Sequence, residues 1–230
     1  GPAEALSRAL EGGRKCYEIE YLSAAGGLVG SSTGAKIWTR KLDEIAKFDI
    51  LLVPGGFAVR ELAHESEFIA ILDELARRHE YVFTACTGSV LLAKTGLLDV
   101  MEATSNKLSW EWATSEAQSV RWIRAARWCV SGKFYTSSGV SAGIDAALGF
   151  IADMHGRDEA QRIAVTMEYV YNSAKRIASE ASSIMACVDK FETAARDGDP
   201  QALRSAASDI NGSAHGIQNE LSSHWWALAS

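Results

Sequence analysis

The sequence predicts an open α/β sheet with helices on both faces, followed by a C-terminal α-helical hairpin. Three observations predict it. The runs Phe48 to Val53 and Tyr81 to Cys86 are apolar and of strand length, as suits strands buried on both faces. Amphipathic helical stretches alternate with these runs, the pattern of a wound α/β unit. From Ser173 onward β-type runs vanish, and apolar residues recur at spacings of three and four, which is helical.

In chain order, residues 3–11 are helix-like and stop at Gly12-Gly13. Cys16 to Ala24 alternates like a strand, with Tyr17, Ile19 and Tyr21 against Glu18 and Glu20. Ala35 to Thr39 suits a second short strand, and the Phe48 strand runs into Pro54-Gly55-Gly56. Ser66 to Arg78 is an amphipathic helix with Phe68, Ile69, Leu72 and Leu75 on one stripe and Ser66 at its N-cap. The strand ending at Cys86 leads into a helix reaching Thr95. Ala125 to Val130 and Lys133 to Ser137 form a hairpin across Ser131-Gly132. Helices follow from Ser141 to Met154 and from Asp158 to Tyr171. In the tail, Ile177 to Ala195 and Leu203 to Leu228 carry two heptad-like stripes. They are joined at Arg196-Asp197-Gly198-Asp199-Pro200, with Asp199 as N-cap and Pro200 at the first helical position. The expected division is an α/β domain over 1–172 and a helical hairpin over 173–230.

The 230 residues carry a net charge of −6 and are 47% hydrophobic. That balance argues against nucleic-acid and anionic-membrane surfaces. No apolar run reaches membrane-spanning length, and no secretory leader is visible. The four cysteines form no CxxC pair and the five histidines no ligand-spaced cluster, so the chain reads as a reduced cytoplasmic protein without a metal site. Cys16 and Cys129 read as core residues, the tryptophans as packing, and Glu111 and Glu116 as solvated helix residues.

Chemistry concentrates at Cys86. A strand that turns into a helix at one cysteine sets the sulfur at a bend and at the positive end of a helix dipole, which favours the reactive thiolate. That is a nucleophile elbow with Cys in place of Ser. A small buried cysteine at a strand end is the competing reading. Ligands of open α/β sheets sit beyond the carboxyl ends of the strands. Gly55-Gly56, Cys86-Thr87 and Ser137-Ser138-Gly139-Val140-Ser141 all fall there. A glycine pair lets backbone N–H groups approach a ligand, as an oxyanion hole requires; a plain turn is the alternative.

Four segments together resemble one family. They are Val53-Pro54-Gly55-Gly56, Ala85-Cys86-Thr87-Gly88, Ala93-Lys94-Thr95-Gly96-Leu97-Leu98-Asp99 and the run from Thr136 to Asp145. In this order they look like the ThiJ/PfpI family of the class I glutamine-amidotransferase-like superfamily, over roughly residues 1 to 172. The resemblance implies a flavodoxin-like sheet and, by default, a homodimer. Cys-Thr-Gly is similar to the isonitrile hydratase branch and to the ligand domains of certain transcriptional regulators. A regulator of that kind carries a basic helix-turn-helix region, whereas this tail is heptad-like.

The resemblance implies that Cys86 attacks the terminal carbon of an isocyanide, with Thr87 and the N–H groups of Gly56 and Thr87 assisting, and without a cofactor. Gly55, Gly56, Asn106, Ser138 and Gly139 would line the binding site for a small molecule. Relatives often have His at the Asn106 position. The family's acidic partner of the cysteine precedes a Gly-Pro-x-Glu segment that Gly1-Pro2-Ala3-Glu4 resembles, so that acid and the first strand are expected upstream of residue 1. Glu4 matches the Glu inside the segment and is not that acid. Three readings follow: a hydratase-like enzyme, a ligand-binding or redox-sensing module, and an impaired chain whose tail is an interaction element.

Overall fold

The computed structural model describes residues 1–31, 34–42 and 48–171, together with 190, 193, 199–202, 204, 205 and 207. Two compact units divide the chain, Gly1–Ala174 and Lys175–Ser230. The expected hairpin helices lie almost wholly outside the described residues. Within the second unit, Asp199 Oδ1 accepts from the N–H groups of Gln201 (2.9 Å) and Ala202 (3.1 Å), so Asp199 caps the turn that Pro200 opens.

The first unit is built on four strands. Their sequence elements are β6 (Ile50–Val53), β7 (Tyr81–Ala85), β10 (Trp128–Ser131) and β11 (Phe134–Ser137). The spatial order is β10-β11-β7-β6; β6, β7 and β11 run parallel, and β10 returns antiparallel to β11. Alternation along the strands sends side chains to two cores. Phe83 and Tyr135 join Leu148, Phe150, Ile151 and Ile163 on one face. That face is covered by α1 (Pro2–Ser7), α6 (Ala142–His155) and α7 (Arg157–Thr166). Val82 and Phe134 face the other way, onto Leu92 and Leu98. Val53 packs with Leu72, Val90 and Leu91. The helices on that side are α2 (Val59–Leu62), α3 (Ser66–Arg78), α4 (Gly88–Lys94) and α5 (Trp110–Glu116). The expected two-sided α/β sheet is therefore observed.

Phe83 is the hub of the first core. It stacks on Tyr135 at 4.8 Å and meets Phe150 edge-on at 5.0 Å. Tyr135 meets Phe150 edge-on as well, at 5.3 Å. Both geometries are favoured by the ring quadrupole. These rings fix β7 and β11 side by side, which holds the strand that delivers Cys86.

Several elements differ from expectation. The first helix stops at Ser7, and Leu10–Glu11 (β1) pairs with Arg14–Lys15 (β2). Gly12 and Gly13 have φ of 58° and 80°, so they are the centre of a primed hairpin turn rather than a helix stop. The Cys16 to Ala24 strand is reduced to β3, Leu22–Ser23. Its alternation is real, since Tyr17 and Ile19 pack on the core and Glu18 and Glu20 face solvent. Among the described residues, however, no strand pairs with Tyr17–Glu20, and the Tyr17 hydroxyl instead hydrogen-bonds His155 Nε2 at 2.6 Å. β5 (Lys36–Lys41) pairs with a strand not anticipated, β4 (Gly27–Gly30), whose terminal glycines read as turns. Short strands β8 (Glu102–Ala103) and β9 (Arg121–Trp122) were also not anticipated. The last helix ends at Thr166 instead of Tyr171, with Glu168 at φ 50° just beyond it.

Candidate functional site

Cys86 stands between β7 and α4 with φ of 58°. A left-handed backbone at a non-glycine residue is a strained conformation that persists only where neighbours enforce it. The neighbours are identifiable. The Cys86 N–H donates to Ser137 O at 3.1 Å. Its carbonyl accepts from Ser89 Oγ at 3.0 Å and Ser105 Oγ at 3.2 Å. The peptide on either side of the strained residue is thus held by three separate segments.

The loop after β6 presses directly on this elbow. A Cβ on Gly55 would lie 2.7 Å from Thr87 N and 2.8 Å from Ala85 O. A Cβ on Gly88 would lie 2.5 Å from Val53 O. Two strand ends therefore pack backbone on backbone, which only glycine permits at both positions. Gly55 is pressed against the elbow backbone, a contact additional to the one expected from the sequence. Gly56 differs from expectation, because its N–H donates to Thr87 Oγ1 at 3.1 Å and so already has an acceptor. Among the described residues the Thr87 N–H has none, which leaves it as the backbone donor beside the sulfur's strand end.

A third segment brings a side chain to the sulfur. Asn106 Nδ2 lies 3.1 Å from Cys86 Sγ. Its Oδ1 accepts the Leu108 N–H at 2.8 Å, as cap of the short 3₁₀ turn Lys107–Ser109. Because the oxygen is committed to that N–H, the amide presents its nitrogen to the sulfur. Gly139 lies beside the same amide, its hypothetical Cβ 3.7 Å from Asn106 Nδ2. Ser138 is buried, and its N–H donates to Arg127 O at 2.9 Å. Gly55 and Gly56 thus meet the elbow at Thr87, Asn106 reaches the sulfur, Gly139 lies beside Asn106, and Ser138 follows Ser137, whose carbonyl takes the Cys86 N–H. Sequence reasoning placed Ser137 at the ligand end of its strand without a role, and it missed Ser89 and Ser105. Their only signal was position, since each stands within three residues of a site residue already named.

The remaining candidates lie elsewhere. Burial pushes the Cys129 thiol up to about 11. Burial, reinforced by Glu11 and Glu159, also raises that of Cys16, so both are poor nucleophiles at neutral pH. Glu4 on α1 is exposed and pairs with Arg8 at 2.6 Å. Asp145 is fully buried and bonds the guanidinium of Arg127, which also donates to Ser141 Oγ at 3.0 Å. Glu116 is not a solvated residue as expected: it is largely covered and binds Lys94 at 3.2 Å, with His64 at 3.6 Å. Among the described residues no group of three or more His, Cys, Asp or Glu could hold a metal ion. Among those residues no helix is long and apolar enough to cross a membrane.

A cysteine on a strained strand-to-helix bend, at the carboxyl end of a parallel sheet, defines a nucleophile-elbow geometry of the α/β class. The chain belongs to the DJ-1/PfpI family, whose model matches residues 1–153. It is 32% identical over 148 residues to an isonitrile hydratase of Pseudomonas putida, covering 61% of each chain. It is 28% identical over 195 residues to the HTH-type transcriptional regulator GlxA of Rhizobium meliloti, covering 79% of this chain and 59% of that one. The chain thus spans about three fifths of the length of these curated relatives. Among solved structures, a ThiJ/PfpI family protein from Pseudomonas syringae superposes with a TM-score of 0.59 at 24% identity, covering 67% of this chain and 64% of that one. That likeness concerns the fold.

Proposed function

We propose that this chain is a cysteine-dependent, hydratase-like enzyme that adds water to a small electrophile such as an isocyanide, giving an N-substituted formamide. The observation that carries the reading is Cys86 Sγ, set on a strained elbow with the Asn106 amide 3.1 Å away. The relative named isonitrile hydratase supports it. In the reaction, Cys86 Sγ bonds to the terminal carbon of R–N≡C and the thiol proton passes to that carbon, forming R–N=CH–S–Cys86. Water then adds to the same carbon, one of its protons goes to nitrogen, and the C–S bond breaks. R–NH–CHO leaves and the thiol is restored. The balance is one isocyanide plus one water with no net change of oxidation state, so no redox cofactor is required. The Asn106 amide and the Thr87 N–H would donate to the sulfur and to charge that develops beside it.

Under this reading residues 1–172 form the reacting α/β domain, residues 173–230 are a helical extension, and the working form is a cytoplasmic homodimer. A simple alkyl isocyanide, followed by proton NMR, tests the activity. The formamide should accumulate with the native protein and not with Cys86→Ser.

A second reading, a ligand-binding or redox-sensing module, is favoured by the regulator relatives, which include GlxA and the CdhR and GbdR regulators of Pseudomonas aeruginosa. Mild peroxide followed by mass spectrometry separates the two. Selective oxygen addition at Cys86 without isocyanide turnover supports the sensor.

A further inference from the structure

We propose that Lys107 is a positioning residue for the site, holding the Asn106 amide against Cys86 Sγ by anchoring the loop on which both Asn106 and Lys107 stand. This rests on the reading of Cys86 as the nucleophile. The Lys107 ammonium has three hydrogens and three oxygen partners: Thr104 Oγ1 at 2.6 Å, Ala126 O at 3.0 Å and Ser105 O at 3.1 Å. It lies 4.7 Å from the centre of the Trp110 ring, a cation–π distance. One partner belongs to the segment before β10, and the others to the residues immediately ahead of Asn106. The cation thus ties residues 104–107 to the chain at Ala126 and closes the loop on itself.

The other fastenings of the loop converge on the same place. Thr104 N donates to Thr136 Oγ1 at 3.0 Å, Ser105 Oγ donates to Cys86 O at 3.2 Å, and Asn106 Oδ1 caps Leu108 N. Thr104 Oγ1 also donates to Ile123 O at 2.9 Å. Lys107 supplies two bonds to the loop's own oxygens, Thr104 Oγ1 and Ser105 O.

Charge makes the device conditional. Burial lowers the Lys107 ammonium to about 8, with Cys129 of β10 opposing and the like charge of Arg124 assisting. Glu102 of β8 acts in turn on Cys129. Thr104, Ser105, Ala126 and Trp110 present only neutral groups. Deprotonated, the amine has two hydrogens for three buried acceptors, so one fastening is lost.

The experiment measures iodoacetamide alkylation of each cysteine by mass spectrometry, in the native chain, Lys107→Met, Asn106→Ala and the double variant. Lys107→Met keeps the apolar stem and should slow Cys86 alkylation by about tenfold, the scale of one hydrogen bond to a charged group. In the Asn106→Ala background the same substitution should change the rate less than about twofold, because its route to the sulfur is gone. In the native chain the Cys86 rate should show an inflection near pH 8, the Lys107 value, additional to the thiol's own and missing from Asn106→Ala. The pH comparison decides the matter even where Lys107→Met does not fold. Equal slowing in both backgrounds, or an inflection that survives Asn106→Ala, overturns the role of Lys107 alone. Equal alkylation of all cysteines in the native chain overturns the nucleophile reading, and this one with it.

Discussion

Thr87 Oγ1 receives the Gly56 N–H at 3.1 Å, so the loop after β6 and the elbow after β7 are bolted together across 31 positions of sequence. The side chain next to the sulfur thereby spends its oxygen on the scaffold. Its hydroxyl therefore ties the elbow to the loop after β6. Thr87→Val keeps the shape and removes the acceptor; Gly56 is exposed, so water can take its N–H, and the cost is about 0.5–1.5 kcal/mol, the net worth of one hydrogen bond. Urea unfolding should show that loss, and Cys86 alkylation should slow. Thr87→Ser should restore both. If Thr87→Val matches the native chain in both measurements, the bolt has no role.

Gly55→Ala tests the same junction from the other strand. Its methyl would meet Thr87 N at 2.7 Å, with Ala85 O and Thr87 Oγ1 at 2.8 Å. Two of these are backbone atoms, so the strain cannot be relieved by a rotamer change. We expect a loss of roughly 1–3 kcal/mol, as for overpacking elsewhere, with the elbow displaced. Gly139→Ala is the control, since its methyl would meet Asn106 Nδ2 at an ordinary 3.7 Å. That variant should unfold at nearly the native urea concentration.

The elements that carry the site were legible in the sequence because each announces itself locally. Tyr81–Ala85 is an unbroken apolar run ended by a cysteine and a helix, and Ser66–Arg78 carries a regular stripe; both were located within a residue of their observed ends. The misreadings share a different cause. Gly12-Gly13 can end a helix or turn a hairpin, and only the pairing of Leu10 with Lys15 decides between them. Likewise, Tyr17 and Ile19 alternate as a strand would, but a ladder needs a partner strand, which a local pattern does not contain. The role of Gly55 depended on which backbone lies opposite, and Lys107 depended on Ala126, nineteen residues away. Contacts at long separation decide these cases, and spacing along the chain carries no trace of them.

Asp145 and Arg127 supply a prediction about the loop that carries Ser138 and Gly139. Asp145 is wholly buried while the Arg127 side chain is 26% exposed, and Arg127 donates to Ser141 Oγ and Tyr169 as well. Removing the carboxylate would leave a mostly covered guanidinium without its main counter-charge. Asp145→Asn should cost about 3 kcal/mol, the lower end for breaking a buried pair because water reaches the cation. The measurement is urea unfolding at neutral pH. A change below about 0.5 kcal/mol, the usual scale of a surface substitution, would show that the pair contributes little.

Glu159 gives a pH-dependent prediction. The Arg162 hydrogen bond is the chief cause that holds its carboxyl down to about 2 against the ordinary 4.5, with partial burial opposing and the Leu10 N–H assisting. Those contacts measure 2.6 Å to Arg162, within α7, and 2.7 Å to Leu10, which joins α7 to the hairpin strand β1. A depressed carboxyl contributes stability that is fully present above its unfolded value and is lost as pH falls through its folded value. Here the window runs from about 4.5 down to about 2. Arg162 is 42% exposed, so solvent screening reduces the contribution to about 1 kcal/mol. Glu159→Gln should therefore unfold more easily than the native chain at pH 7. The gap between them should narrow as pH drops below 4.5 and close near pH 2. A gap that stays constant across that range would assign the effect to shape rather than charge, and would sink the ionic account of how α7 is fastened to β1.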